Sequence, residues 1–316
     1  MPSVIVPTLN AASQWNEFAA ALLQCVSPDQ VVIIDSASTD RTAELAHKAG
    51  FAVISIDRAA FNHGGTRQLG VEHFRDADIL VFLTQDAVLT DSGSIRHLVR
   101  AFDDPTVAAA YGRQLPRPGA EAIEAHARLF NYPEISQKRD FSHRTRLGFK
   151  TIFISNSFAA YRRSALLSVG GFPSDVIFGE DTITAARLLQ EGWKIEYVPK
   201  ARVFHSHSYS IKQDFKRYFD IGVLHSRESW LVETLGTATG EGSRFIKSEI
   251  AYLMSREKSR IPQSIVRSAL KLAGYKLGLM ERHLPPAIKA RLSMHRAFWS
   301  QSETVLAKTI ALSSSE

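Results

Sequence analysis

Apolar residues along this 316-residue chain fall into short unbroken runs separated by amphipathic stretches. Ile79-Leu80-Val81-Phe82-Leu83 is the clearest run, without polar alternation, as expected of a strand buried on both faces of a sheet. It stops at the polar tip Thr84-Gln85-Asp86-Ala87, whose only carboxylate is Asp86. Ser3-Val4-Ile5-Val6-Pro7 and Gln30-Val31-Val32-Ile33-Ile34 repeat the pattern, closing on Thr8-Leu9-Asn10 and on Asp35-Ser36-Ala37-Ser38-Thr39-Asp40. Between them Trp15, Phe18, Ala19, Leu22 and Leu23 recur at helical spacing. Asp40 is placed to cap a helix over residues 41–49, and Gly50 to end it. Further strands are predicted at 51–56, 107–111, 157–161, 195–198 and 202–207. Helices are predicted through about Phe74, over 119–131, over 162–169, and from Glu180 to Gln190. Strands alternating with helices imply βαβ units, hence an α/β fold with a mostly parallel mixed sheet flanked by helices. Ligands of such sheets bind beyond the carboxyl ends of the strands, so the polar tips are where chemistry is expected.

The pattern loosens after Arg113. Residues 132–150 are polar, basic and aperiodic, either a loop that orders over a ligand or an exposed connection. From residue 211 the chain reads as helical to its end, with breaks at 236–242, at Pro262 and at Pro285-Pro286. This divides it into an α/β part, 1–210, and a basic helical extension, 211–316. In the extension Val266, Leu270, Ala273, Leu277 and Met280 form an apolar helical stripe, with Arg260, Arg267 and Lys271 on another face.

Composition adds bounds. A 45% hydrophobic and 22% charged chain is ordinary for a globular protein. No apolar run approaches the roughly 20 residues of a membrane span, and the start lacks signal-peptide features. The single cysteine, Cys25, rules out an intrachain disulfide. Cytoplasmic residence is the resulting expectation. The net charge of +6 is concentrated between Arg244 and Arg296, where twelve Lys and Arg face three Asp and Glu. That excess suits either a packed helix with a solvated basic side or an amphipathic helix on the anionic inner face of a membrane. Nucleic acid is not an expected partner, because no known binding module or aromatic interleaving accompanies the charge.

Three further groups carry candidate chemistry. Gly64-Gly65-Thr66-Arg67 at a helix start offers backbone amides and a guanidinium to an anion, phosphate first. The chain has neither a P-loop nor GxGxxG at this place, so kinase-type and dinucleotide readings lack their signature. Glu180-Asp181 opens a helix, where acids either complement the dipole or, facing a cleft, provide a general base. His205 and His207 are two apart, so on a strand both imidazoles share one face and suit a divalent metal.

Taken in order, Pro7-Thr8-Leu9-Asn10, Asp35 to Asp40, Gly64 to Gly70, Thr84-Gln85-Asp86-Ala87, Gly170-Gly171-Phe172 and Glu180-Asp181 resemble the inverting GT-A glycosyltransferases of family 2. Phe61-Asn62-His63-Gly64-Gly65-Thr66-Arg67 and Leu83 to Ala87 resemble its bacterial rhamnosyltransferase branch, which builds O-antigen and similar polysaccharides. The resemblance covers roughly residues 1–210. It implies that Pro7, Thr8, Asn10, Asp35, Ser36, Ser38 and Gln85 hold a nucleotide sugar, with Arg67 beside its diphosphate. Asp86 would bind Mg²⁺ or Mn²⁺, helped by His205, which matches the family's metal-ligating histidine better than His207. Asp181 would be the base, and Glu180 would help position the acceptor. Thr84 stands where the family's DxD motif has its first acid, so donor phosphates must complete the metal site. The implied activity is inverting transfer of a sugar, L-rhamnose from dTDP-L-rhamnose, onto a saccharide carried on a polyprenyl diphosphate. The alternatives are a UDP- or GDP-linked donor, or a nucleotide-sugar-binding protein without catalysis.

Overall fold

The apolar runs pair edge to edge. In the computed structural model, which describes residues 2–236 and 240–299, the first half folds as β1 (Ser3–Thr8), α1 (Trp15–Leu23), β2 (Val31–Asp35), α2 (Thr42–Lys48), β3 (Ala52–Ser55), α3 (His63–His73), β4 (Ile79–Leu83), β5 (Val88–Leu89), α4 (Ser94–Val99) and β6 (Val107–Leu115). Then come α5 (Ala122–Asn131), β7 (Gln137–Arg139), α6 (Arg144–Leu147), β8 (Phe158–Arg162), α7 (Arg163–Ser168), α8 (Glu180–Gln190) and β9 (Lys194–Phe204). Five helices follow: α9 (Ile211–Arg227), α10 (Ser229–Leu235), α11 (Glu241–Arg256), α12 (Ile261–Leu279) and α13 (Pro286–Leu292).

The sheet order is β3-β2-β1-β4-β8-β6-β9-β5, with β7 pairing to β9. β3, β2, β1 and β4 are mutually parallel, while β8 runs antiparallel between β4 and β6. β6 and β9 are parallel again. The carboxyl ends of β1, β2, β4, β6 and β9 therefore open on one edge, together with the amino end of β8.

Alternate residues of the central strands feed two cores. Ile5, Val32, Ile34, Leu80 and Phe82 face the layer that includes α8 and α9, through Ile183, Ala186, Phe219 and Val223. Val4, Val6, Val31, Ile33, Val81 and Leu83 face Trp15, Phe18 and Leu22 of α1 and Ile95 and Leu98 of α4. Burying each such aliphatic side chain contributes about 1.5–3 kcal/mol, which is why these runs show no polar alternation.

Several expectations are corrected. The strand expected at 107–111 continues to Leu115, because its pairing to β9 shifts register between Gly112 and Arg113 rather than stopping. The same irregularity lets 195–198 and the strand expected at 202–207 belong to one strand, β9, which ends at Phe204, so His205 and His207 lie just past it. Residues 132–150 are not a free loop, since β7 adds to β9 and Arg139 is 1% exposed. Its guanidinium donates to Tyr111 Oη (3.0 Å) and to the Phe153 carbonyl (2.6 Å). A buried arginine bonded through its terminal nitrogens reads as solvent-seeking in sequence because its carbonyl partners are invisible there.

The extension also packs differently from its pattern. Along α12 the buried residues are Ser264, Gly274 and Gly278, whereas Val266 and Met280 of the apolar stripe are exposed. Arg267 and Lys271 do not form a free basic face: both reach Asp214 of α9, Arg267 at 2.5 Å. Arg260 pairs with Glu121 and Glu257. Pro262 breaks the chain as expected, lying in the first turn of α12. The break expected at 236–242 falls partly on residues 237–239, and the helical expectation for 300–316 lies outside the described residues too. Among the described residues no helix is long and apolar enough to cross a membrane.

Candidate active site

The tips of β1 and β2 interlock. Asp35 is buried and accepts from the Ser38 hydroxyl (2.5 Å), the Ser38 amide (2.9 Å) and the Thr8 hydroxyl (3.4 Å). Asn10 Oδ1 accepts the Thr39 amide at 2.8 Å, and the Asn10 amide donates to Ser38 Oγ at 2.9 Å. Asn10 (φ 51°) and Ala37 (φ 53°) both occupy the left-handed region, a cost that non-glycine residues bear where surrounding contacts impose it. Ser36 lies buried beside them, its hydroxyl without a partner, and Pro7 is half-buried in β1. Gln85 is turned toward the backbone: its side-chain amide accepts from Leu9 N (2.7 Å) and donates to Leu9 O (3.0 Å). It locks the β4 tip to the β1 tip.

Beyond β4 and β9, Asp86, His205 and His207 converge, their ligand atoms all within 4.8 Å of one another. Asp86 Oδ2 lies 3.4 Å from His205 Nε2 and 3.6 Å from His207 Nδ1. His205 Nδ1 lies 2.8 Å from Gln114 Oε1. That oxygen also accepts from Arg128 (2.7 Å), while Gln114 Nε2 donates to Ser155 Oγ (3.0 Å). The amide orientation is thereby determined, so His205 must carry its proton on Nδ1 and present a bare Nε2. Burial pushes both imidazoles down, His207 to about 4, so both are neutral ligands at neutral pH. Burial works to raise the Asp86 carboxyl, but contacts with His205, Thr84 and His207 together hold it below the usual carboxylate range. Asp86 and a bare His205 Nε2 facing each other both offer lone pairs, which a bound cation would satisfy. One carboxylate and two imidazoles therefore fit a divalent transition metal.

Glu180 and Asp181 begin α8 after Gly179, whose left-handed φ of 81° turns the chain into the helix. Glu180 is 4% exposed and receives Arg67 at 3.1 Å and the Asn156 side-chain amide at 3.0 Å. Asp181 is less enclosed and accepts from the amides of Asn156 (3.2 Å) and Thr182 (2.7 Å). Burial, then the neighbouring Glu180, pushes the Asp181 carboxyl up to about 6. Glu180 is drawn down by Arg67 and His63 despite its burial. The two acids are thus pushed in opposite directions, Glu180 down and Asp181 up, the division expected of a structural carboxylate beside a general base.

The expected anion site at Gly64 to Arg67 is closed. A Cβ on Gly64 would lie 1.8 Å from the Pro173 carbonyl oxygen, and the Gly65 amide is taken by Asn62 Oδ1 at 2.6 Å. Arg67 is 5% exposed and turned to Glu180 and to the His63 carbonyl (2.8 Å). A different arginine stands at the candidate metal site. Arg117, just past β6, donates to the Asp86 carbonyl (2.6 Å) and to Gln14 Oε1 (3.2 Å). Its Nε is buried without a partner, and it lines a cleft of about 460 Å³ with Asp86, His207 and Tyr209.

Gln114, Asn156 and Arg117 are the residues that sequence reading missed. Gln114 and Arg117 follow the point where the apolar run of β6 appeared to end. Asn156 sits in Ser155-Asn156-Ser157, a polar triplet directly before β8, which was the available signal. Gln114 and Asn156 join the two halves of the site: His205 to Gln114, Gln114 to Ser155, and the adjacent Asn156 to both acids.

Comparison with known proteins bears on the family and the fold. The family described as Glycosyl transferase family 2 matches residues 3–170. The O-antigen chain rhamnosyltransferase RfbN of Salmonella typhimurium is 43% identical over 310 residues, 98% of this chain and 99% of its own. WbaN of Salmonella anatum, of the same description, is 43% identical over 317 residues, covering 98% and 100%. The fold is similar to that of the mannosyltransferase PcManGT from Pyrobaculum calidifontis, solved with GDP-Man and Mn²⁺, at a TM-score of 0.55 and 20% identity over 96% of this chain and 86% of that one. With the match to residues 3–170 and near-full-length relatives of this kind, the chain belongs to glycosyl transferase family 2 and is a glycosyltransferase.

Proposed function

We propose that the chain transfers L-rhamnose from dTDP-L-rhamnose, with inversion, onto a hydroxyl of a lipid-linked saccharide in O-antigen synthesis. The observation that carries this reading is the 43% identity, over nearly the full length, to two O-antigen chain rhamnosyltransferases. The interlocked tips of Thr8, Asn10, Asp35, Ser36 and Ser38 hold the nucleotide, Asp35 accepting from the base edge. Pro7 and Gln85 shape that floor. Asp86, His205 and His207 would hold Mg²⁺ or Mn²⁺, which supplies charge to the diphosphate as it leaves. Imidazole ligands favour Mn²⁺ over Mg²⁺.

Asp181 takes the proton from the acceptor hydroxyl as that oxygen attacks the anomeric carbon opposite the leaving phosphate. Glu180 stays ionised, keeping the Asp181 carboxyl basic enough for this step, and Arg67 and Asn156 hold Glu180 in place. Arg117 faces the cleft and adds positive charge where the diphosphate develops its own. No covalent intermediate on the chain is needed.

The reading extends to location: cytoplasmic, with the exposed Ile265, Val266 and Leu272 of α12, and Met280 just after it, against the membrane that carries the acceptor. Liposome sedimentation of full-length protein, intact or with those four residues changed to Ser, tests that part, and equal binding removes it. For the reaction, the protein is incubated with dTDP-L-rhamnose, UDP-glucose or GDP-mannose, Mn²⁺ and a lipid-linked saccharide. Rhamnose transfer is expected. Transfer from only a UDP- or GDP-sugar would replace the donor, and binding with no transfer from any would leave a non-catalytic binder.

A further inference from the structure

One buried group beside the acid pair comes from the far end of the chain. His295 follows α13, and its ring meets that of His63 at 5.0 Å with an interplanar angle of 85°. It also stacks on Phe178 at 5.9 Å and 14°. Both partners stand one step from the acids. His63 gives its carbonyl to Arg67, the partner of Glu180. Phe178 directly precedes Gly179, the left-handed residue from which α8 starts.

The segment bearing His295 is held firmly. Met294 N donates to Asp220 Oδ2 at 2.9 Å, Lys216 Nζ donates to the Ser293 carbonyl at 3.2 Å, and Ser293 is fully buried. The His295 amide returns to Ser293 Oγ at 2.9 Å. The ring is a neutral packing element: burial, with His63 and Arg217 nearby, pushes the imidazole down to about 3. His63 Nε2 is buried with no hydrogen-bond partner. Its ring lies instead between aromatic contacts, with Phe61 (5.2 Å) on one side and His295 on the other.

We propose that His295 is a positioning residue for transfer, its ring packing between His63 and Phe178 to set the Arg67–Glu180 pair and, through it, Asp181. In a close-packed interior, removing that ring frees His63 to turn and the start of α8 to shift. Misplacement of reacting groups by about 1 Å costs up to roughly 100-fold in rate. The donor site, built on the β1, β2 and β4 tips, is untouched. The C-terminal extension is thereby part of the catalytic apparatus.

The inference rests on the transferase reading, and the assay separates the two. Initial rates with dTDP-L-rhamnose are measured for wild type, His295→Ala, His295→Phe and His295→Gln, alongside calorimetric binding of dTDP. His295→Ala should lower kcat at least about 10-fold while the donor KM stays within about two-fold. His295→Phe, which keeps a neutral ring, should stay within about three-fold of wild type, and His295→Gln should resemble Ala. If His295→Ala no longer binds dTDP and so is misfolded, the Phe and Gln variants decide: Phe active and Gln impaired supports the role. Wild-type kcat in His295→Ala, or a Phe variant no better than Gln, overturns it. Absence of transfer by wild type itself removes the underlying reading instead.

Discussion

Gln114 receives the Nδ1 proton of His205 at 2.8 Å, and that bond decides which imidazole nitrogen faces Asp86. The acceptor oxygen cannot turn away, because Arg128 also donates to it and Ser155 accepts from the other end of the same amide. Partners of this kind typically contribute 10–100-fold to metal affinity. Gln114→Leu should therefore weaken Mn²⁺ binding by about that factor, followed by calorimetric titration or by the paramagnetic signal of free Mn²⁺. Unchanged affinity would show that His205 is not a ligand, or needs no such orientation.

In the proposed base role, Asp181 should make the rate pH-dependent. Raised to about 6 by burial and by Glu180, it is protonated below that value and cannot accept the hydroxyl proton. The facing groups are Glu180, kept ionised by Arg67, and Arg67 itself. Transfer should rise tenfold per unit through the acidic limb and level off above about 6. Asp181→Asn should abolish transfer while leaving dTDP binding in place. A variant that transfers at the wild-type rate removes Asp181 from the base role.

Much of this was legible in the sequence, for a definite reason. A strand buried on both faces leaves an unbroken apolar run, and its polar tip marks the sheet edge where ligands bind. That pattern marks Asp86 and Asp35, whereas Asp181 is marked by its place with Glu180 at the start of a helix. What escaped was whatever depends on a partner distant in sequence. Arg67 reads as an open anion hook until Glu180 is seen beside it. Arg139, Arg267 and Lys271 read as solvated charge, yet each is turned inward. Gln114 lies beyond a register shift at Gly112, where a Cβ would come within 2.3 Å of the Phe158 ring. Only the packing shows that the strand runs on past that glycine.

The Arg67–Glu180 pair should be costly to break from one side. Both side chains are at most 6% exposed, so removing the cation leaves a buried carboxylate beside Asp181. Removing one partner of a buried pair costs about 3–5 kcal/mol. Arg67→Met should lower the unfolding free energy by an amount of that order in urea titration. Arg67→Met with Glu180→Gln should recover much of it, since no unpaired charge remains. Equal stability of the single and double variants would show that the pair is not what holds this corner together.

Glycine at the crossing of α9 and α12 sets the last expectation. A Cβ on Gly278 would fall 2.1 Å from the Phe219 carbonyl oxygen and 2.9 Å from the Gly222 Cα. On Gly274 it would fall 2.4 Å from the Phe215 carbonyl oxygen. These obstacles are backbone, so the two helices would have to move apart, and Phe219 and Val223 lie in the core beneath α9. Overpacking of this kind costs about 1–3 kcal/mol, against which the gain in helix propensity from Gly to Ala is at most about 1 kcal/mol. Gly278→Ala should therefore be destabilising in urea melts and should lower kcat as well, because Ser293 and Met294, directly before His295, are tied to Lys216 and Asp220 on the same helix, α9. Gly242→Ala in α11 is the contrast: nothing lies within 4 Å of its Cβ. It should be neutral or slightly stabilising, and a comparable loss at both positions would mean that close approach of α9 and α12 is not the cause.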